Sequence, residues 1–179
     1  MIYLIRHGET EWNVIGRIQG NRDIPLNDNG RRQALETKKE LDNIPIDLII
    51  SSPLKRTKET AEIINKDRNI PIIFDKRIAE RDFGEFEGKY VKDIEGHYFW
   101  DYYLNEQFIE AECIKDFFNR VYGFLDDITV KYKGKNILIV SHGGVSIPAY
   151  CYFHNNIPEG SLIKARILLG NCEVEKYEN

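Results

Sequence analysis

Two stretches of this sequence end an apolar run in a histidine and a glycine. Ile2 to Ile5 leads into Arg6-His7-Gly8, and Ile137 to Val140 leads into Ser141-His142-Gly143-Gly144. A short apolar run stopped by glycine reads as a buried strand ending in a tight turn. Each stretch therefore delivers an imidazole to a strand end, where it can act as nucleophile, base or metal ligand. Arg6 adds a fixed cation whose planar fork matches phosphate oxygens. A third run, Leu48-Ile49-Ile50, ends in Ser51-Ser52-Pro53 with Arg56 close behind. In open α/β sheets ligands bind beyond the carboxyl ends of parallel strands. Three such ends carrying His, Arg and His would make a compact anion site.

The elements that must position these residues follow from the pattern. Residues 6 to 27 read as loop, broken by Gly16, Gly20 and Pro25 and carrying Arg17, Gln19 and Arg22. Asn27 or Asp28 can cap a helix running to about Leu41, with Arg31-Arg32 and Lys38-Lys39 as a solvated face. Ile46 to Ile50 is a second strand. Ser52-Pro53 reads as N-cap and first residue of a helix to about Asn65, which places Arg56 in its first turn and Ala61 and Ile64 inward. A helix N-terminus itself suits anions. Ile70 to Phe74 is a third strand, and residues 75 to 90 form a charged, glycine-containing loop of a functional kind. Tyr98, Phe99, Trp100, Tyr102 and Tyr103 read first as core packing of a short helix and second as an aromatic wall beside the site. Ile114, Phe117, Val121, Leu125 and Ile128 recur at helical spacing. A helix should open at Gly143-Gly144, and Leu162 to Leu168 with Cys172 to Tyr177 reads as a closing hairpin. Strands alternating with helices predict an α/β fold whose central sheet is mainly parallel with an antiparallel edge.

The 179 residues fit one domain spanning 1–179, long enough to bury a good core. A net charge of -4 argues against general nucleic-acid binding and against an anionic membrane surface. No stretch approaches a membrane span, and the N-terminus enters strand-like sequence without a leader. Cys113, Cys151 and Cys172 are an odd number at unrelated spacings, which reads as reduced thiols in a cytoplasmic protein and not as a zinc site.

Arg6-His7-Gly8-Glu9-Thr10 with Asn13 resembles the opening motif of the histidine phosphatase superfamily, the phosphoglycerate-mutase-like fold. Gln19-Gly20 with Asp23, Pro25-Leu26 and Gly30 is similar to its next block. Ser51-Ser52-Pro53-Leu54-Lys55-Arg56-Thr57 resembles the block carrying its second arginine, Glu80-Arg81 with Phe83-Gly84 and Glu87-Gly88 the block carrying its acid, and Ser141-His142-Gly143-Gly144 the block carrying its second histidine. The five blocks run in order over nearly the whole chain. The resemblance implies a three-layer α/β/α sandwich and a phosphohistidine mechanism. His7 would be the nucleophile, Arg6, Arg56 and His142 would grip the phosphoryl group, and Glu80 would donate the proton. Asn13, Gln19, Gly20 and the Gly143 amide would contact substrate.

Physical chemistry agrees with those roles. Phosphoryl transfer asks mainly for positioning and charge stabilisation, which protein cations can supply, so no metal and no cofactor are expected. The expected partner is a small phosphorylated molecule, with no nucleic acid and no membrane, the chain acting as monomer or homodimer. Cofactor-dependent mutases of this superfamily carry a longer insert between acid and second histidine, with a consecutive arginine pair. The segment from Lys89 to Ser141 is short and has no Arg-Arg, which favours hydrolysis over transfer back to substrate. An α-ribazole phosphatase is similar in size. The alternatives are a cofactor-dependent phosphoglycerate mutase, a non-catalytic module that holds a phosphorylated ligand, and a metal hydrolase using His7, His142 and Glu80, which the neighbouring arginines disfavour.

Overall fold

The computed structural model describes residues 1–93, 99–157, 160–162 and 167–178. Its centre is a five-stranded sheet of β1 (Ile2–Arg6), β2 (Leu48–Ser51), β3 (Ile72–Phe74), β4 (Ile137–Ser141) and β5 (Val174–Tyr177), in the order β3-β2-β4-β1-β5. The first four are parallel, and β5 runs antiparallel along β1.

Side chains alternate across a strand, so each central strand feeds two cores. Ile2, Leu4, Ile137 and Ile139 pack with α4 (Ile114–Lys131) and α5 (Gly143–His154). Tyr3, Ile5, Leu138 and Val140 pack with α2 (Asp28–Leu41) and α3 (Lys55–Asn65). Covered on both faces, β1 and β4 must be apolar throughout, which is why they read as unbroken runs. The result is the expected three-layer α/β/α sandwich.

Most expected elements form within a few residues of their predicted bounds. Four differ. A short helix, α1 (Glu11–Val14), interrupts the first loop because Thr10 and Asn13 cap each other's backbone amides in a capping box. Helix α3 is capped at Leu54, without a side-chain cap bond, instead of at Ser52. β5 pairs with β1 in place of a hairpin partner; residues 163–166 of the expected hairpin lie outside the described residues, and residues 167–170 are not strand. Phe99 to Leu104 form turns and a single bridge, not a helix, and Tyr98 lies outside the described residues.

Tight approach of α2 to the β1 turn depends on Gly8. A Cβ there would lie 2.4 Å from the carbonyl oxygen of Gly30, so any larger residue would push the turn off the helix start.

Candidate active site

Sheet register brings the site together. Arg6 on β1 sits opposite Ser141 on β4, and Ser51 on β2 opposite Val140. The ladder runs one step further, with the His7 amide donating to Ser141 O at 2.9 Å and the Ser52 amide to Val140 O at 3.0 Å. His7, His142 and Ser52 are therefore neighbours at three adjacent strand ends, with the two imidazole centroids 5.3 Å apart.

His7 is held as a neutral ring with one free lone pair. Its Nδ1 donates to Gly8 O at 2.7 Å, and its Nε2 accepts from Arg56 Nε at 3.2 Å. A carbonyl can only accept, so the proton is on Nδ1 and the lone pair on Nε2. Burial, then the charges of Arg56 and Arg6, push the His7 pKa well below 6.5, against the opposing pull of Gly8 O. The turn itself is pinned by the Gly8 amide on Thr60 Oγ1 at 3.1 Å and by Asn171 Nδ2 on His7 O at 2.9 Å.

The cations are equally fixed. Arg56 is fully buried, and its two terminal nitrogens donate to Arg22 O at 2.7 Å and Gly20 O at 2.8 Å. Burial lowers its pKa to about 10, which leaves it charged at neutral pH. Arg6 donates to Leu169 O at 2.8 Å, while its Nε is buried without a partner among the described residues. His142 behaves alike: Nε2 meets Ser52 Oγ at 2.8 Å, and Nδ1 is buried without a partner among the described residues. Burial, with Arg56 next, drives the His142 pKa well below 6.5. A buried polar atom left unpaired costs about 1–3 kcal/mol, so a ligand oxygen reaching Arg6 Nε and His142 Nδ1 recovers that cost.

Glu80 faces this group from the loop after β3. Its carboxylate accepts from the Arg81 amide at 2.9 Å and from the Gly144 amide, in the first turn of α5, at 3.2 Å. Gly143 and Gly144 make that approach possible. A Cβ on Gly144 would stand 2.1 Å from Glu80 Oε1, and one on Gly143 would press on the Arg6 guanidinium at 3.3 Å.

Arg6, His7, Arg56 and Glu80 line one cavity of about 230 Å³, together with Asn13, Arg17, Ile18, Gln19, Gly20, Phe83, Val91, Phe99 and Trp100. Asn13 Oδ1 accepts from the Thr10 amide at 3.1 Å, which leaves its NH2 for a ligand, and Gln19 Oε1 takes the Thr10 hydroxyl at 3.0 Å with the same effect. A larger groove of about 550 Å³ elsewhere, along Asp75, Arg77, Phe124 and Asp127, is lined by no histidine, and its Arg77 is paired with Asp75 and Asp127. Among the described residues no three His, Cys, Asp or Glu side chains are grouped to hold a metal ion.

The family model for the histidine phosphatase superfamily, branch 1, matches residues 2–178. The chain belongs to this superfamily. PhoE of Bacillus subtilis, described as an uncharacterized phosphatase, is 40% identical over 142 residues, 79% of this chain and 71% of PhoE. Phosphoserine phosphatase 1 of Hydrogenobacter thermophilus is 35% identical over 156 residues, 84% of this chain and 74% of that protein. The solved structure of YhfR from Bacillus stearothermophilus superposes with a TM-score of 0.82 at 34% identity, covering 90% of this chain and 82% of YhfR. As a histidine phosphatase with named phosphatase relatives, the chain is an enzyme of phosphomonoester hydrolysis.

The nine residues singled out from the sequence all meet in this region. Arg6, His7, Asn13, Gln19, Gly20, Arg56 and Glu80 line the cavity, His142 lies edge-on to His7, and Gly143 packs under Arg6. Phe99 and Trp100 are buried in the core, from turns and not from the expected short helix, and they also wall the cavity. Sequence reasoning missed Ser52 as the partner of His142, Asn171 as the anchor of His7 O, and Arg17 as a lining cation. Ser52 carried a signal, being the first residue past a strand end. Asn171 is 164 positions from His7 and carried none.

Proposed function

We propose that this histidine phosphatase hydrolyses small phosphomonoesters through a covalent phosphohistidine on His7, without a metal or cofactor. The observation that carries the reading is the state of His7: a neutral imidazole with Nδ1–H tied to Gly8 O and its Nε2 lone pair directed at the Arg56 donor. A phosphoryl oxygen that takes over that donor frees the lone pair for attack. As the Nε2–P bond forms, the P–O ester bond breaks and Glu80 gives its proton to the departing alkoxide. Water then attacks phosphorus, Glu80 takes back a proton, and the N–P bond breaks to return neutral His7 and free phosphate. Arg6, Arg56 and His142 hold the equatorial oxygens, where preorganised donors lower the barrier most.

Asn13, Gln19 and the α5 N-terminus at Gly143 complete the donor set. The cavity falls below the usual 300–1,000 Å³ of drug-sized sites, which supports an alcohol half of a few carbons over one as bulky as α-ribazole. The protein works as one catalytic domain over 1–179, as monomer or homodimer, in the cytoplasm. Three unpaired, buried thiols support a reducing compartment, and among the described residues no helix is long and apolar enough to cross a membrane. Purified protein should release phosphate from p-nitrophenyl phosphate at the same rate with and without EDTA. Loss of activity in EDTA, restored by a divalent cation, would replace this mechanism with metal-assisted hydrolysis.

A further inference from the structure

We propose that Arg120 and Glu112, an ion pair behind the cavity wall, are positioning residues that fix the backbone of Glu80 and so keep its carboxyl at the leaving oxygen. The inference rests on the reading of Glu80 as the proton donor.

Glu80 stands on a loop, with a short helical turn before it at Lys76–Ile78 and another after it at Gly84–Phe86. A proton donor must lie within hydrogen-bond reach of its acceptor, so a loop that carries one has to be fixed from outside. Arg120 fixes this one from α4, a helix whose Phe117, Val121 and Phe124 are buried in the core. A guanidinium has five N–H donors, and Arg120 spends them all here. Two go to Glu112, from Nε to Oε1 at 2.6 Å and from a terminal nitrogen to Oε2 at 2.8 Å. The other three go to the carbonyls of Arg77 at 2.6 Å, Ala79 at 2.9 Å and Glu80 itself at 3.0 Å.

Glu112 closes the clamp on the other side of the acid. Its amide donates to Asp82 O at 2.9 Å, and its carbonyl accepts from Arg81 Nε at 2.9 Å. The ion pair therefore grips the chain before Glu80, at Glu80 and after it. Both side chains are mostly buried, and a bidentate pair shielded from water is stiffer than an exposed one. Neither residue lines the catalytic cavity. They face a separate groove of about 540 Å³ with Ala79, Asp82 and Lys76, so any effect on the reaction passes through the acid loop. Arg68 offers a contrast. It also ties two carbonyls, those of Leu41 and Ile44 at 3.2 and 2.6 Å, but neither of those residues lines the cavity.

The test measures kcat on glycerol 3-phosphate, whose leaving oxygen is basic, and on p-nitrophenyl phosphate, whose leaving oxygen is not. Arg120→Gln should slow the alkyl ester by about 10²-fold, the cost of misplacing a reacting group by about 1 Å, and the aryl ester far less. Arg120→Lys keeps the charge without the fork and should recover part of the loss. Inhibition by inorganic phosphate should be unchanged in both, because the groups around His7 are untouched. Added to Glu80→Gln, Arg120→Gln should slow the alkyl ester no further, as two changes acting through one group do. Arg68→Gln should show no difference between the esters. Should Arg120→Gln fail to fold, Glu112→Gln, which keeps neutral acceptors for Arg120, should give the same split at smaller size. Equal slowing of both esters, weakened phosphate inhibition, or full additivity with Glu80→Gln would overturn the proposal and leave the pair structural. Glu80→Gln alone judges the acid: no split there fails that reading, whereas a split there without one in Arg120→Gln fails only the positioning.

Discussion

The acid is the residue whose identity the sequence left most contested, since Asp82, Glu85 and Glu87 crowd Glu80 in one loop. Their surroundings separate them. Glu87 is spent on Arg22 at 3.2 Å and on the Asn21 amide at 2.7 Å, Asp82 holds the Gly84 amide at 2.8 Å, and Glu85 pairs with Lys89 at 3.3 Å on the surface. Among the described residues Glu80 is the carboxylate that lines the cavity. A general acid contributes roughly 10²–10⁴-fold when the leaving oxygen is basic and little when it is not. Glu80→Gln should therefore slow an alkyl phosphate by about 10²–10⁴-fold while slowing p-nitrophenyl phosphate far less. Glu85→Gln should show no such split. Equal slowing of both substrates by Glu80→Gln would reassign the acid.

Elements were legible where their cause is local. β1 and β4 announce themselves as apolar runs because both faces are covered, and the α4 pattern gives its buried face, with Phe117, Val121, Leu125 and Ile128 all inside. The strand-end histidines follow from register alone. What sequence could not give was decided at long range. Ser52 looked like a helix cap, but its hydroxyl serves His142 and lies 3.5 Å from the Leu54 amide, so α3 starts later. Arg120 on α4 looked like one scattered cation. In the fold its guanidinium donates to the carbonyls of Arg77, Ala79 and Glu80 at 2.6, 2.9 and 3.0 Å while pairing with Glu112 at 2.6 Å. The backbone that presents Glu80 is thus held by a helix forty residues away. Arg81, adjacent to the acid in sequence, turns inward beneath Phe83, Phe99 and Trp100 and supports the aromatic wall. The antiparallel edge was foreseen, but its pairing with β1 depends on residues 171 positions apart meeting at Leu4 and Glu175.

At the scale of the molecule, a mildly acidic chain buries a cationic pocket, and acid should weaken it. His7 and His142 both titrate well below 6.5 when folded. As pH falls through 6.5 the unfolded chain binds protons that the folded chain refuses. The stability contributed by neutral burial is present above that pH and is lost below it, at up to about 1.4 kcal/mol per pH unit for each imidazole. Urea unfolding at pH 7.5 and 5.5 should show a larger loss for the native protein than for His142→Asn. Identical losses would mean that His142 is not held neutral by the fold.

Trapping the intermediate tests the central claim most directly. The protein is mixed with a phosphomonoester labelled in its phosphoryl group, quenched in alkali during turnover, digested and mapped. The account predicts label on His7, stable to alkali and lost in acid, and absent from His7→Ala. It also predicts that His7→Ala loses nearly all turnover. Label on another residue, or His7→Ala retaining more than about a hundredth of the native rate, would contradict it.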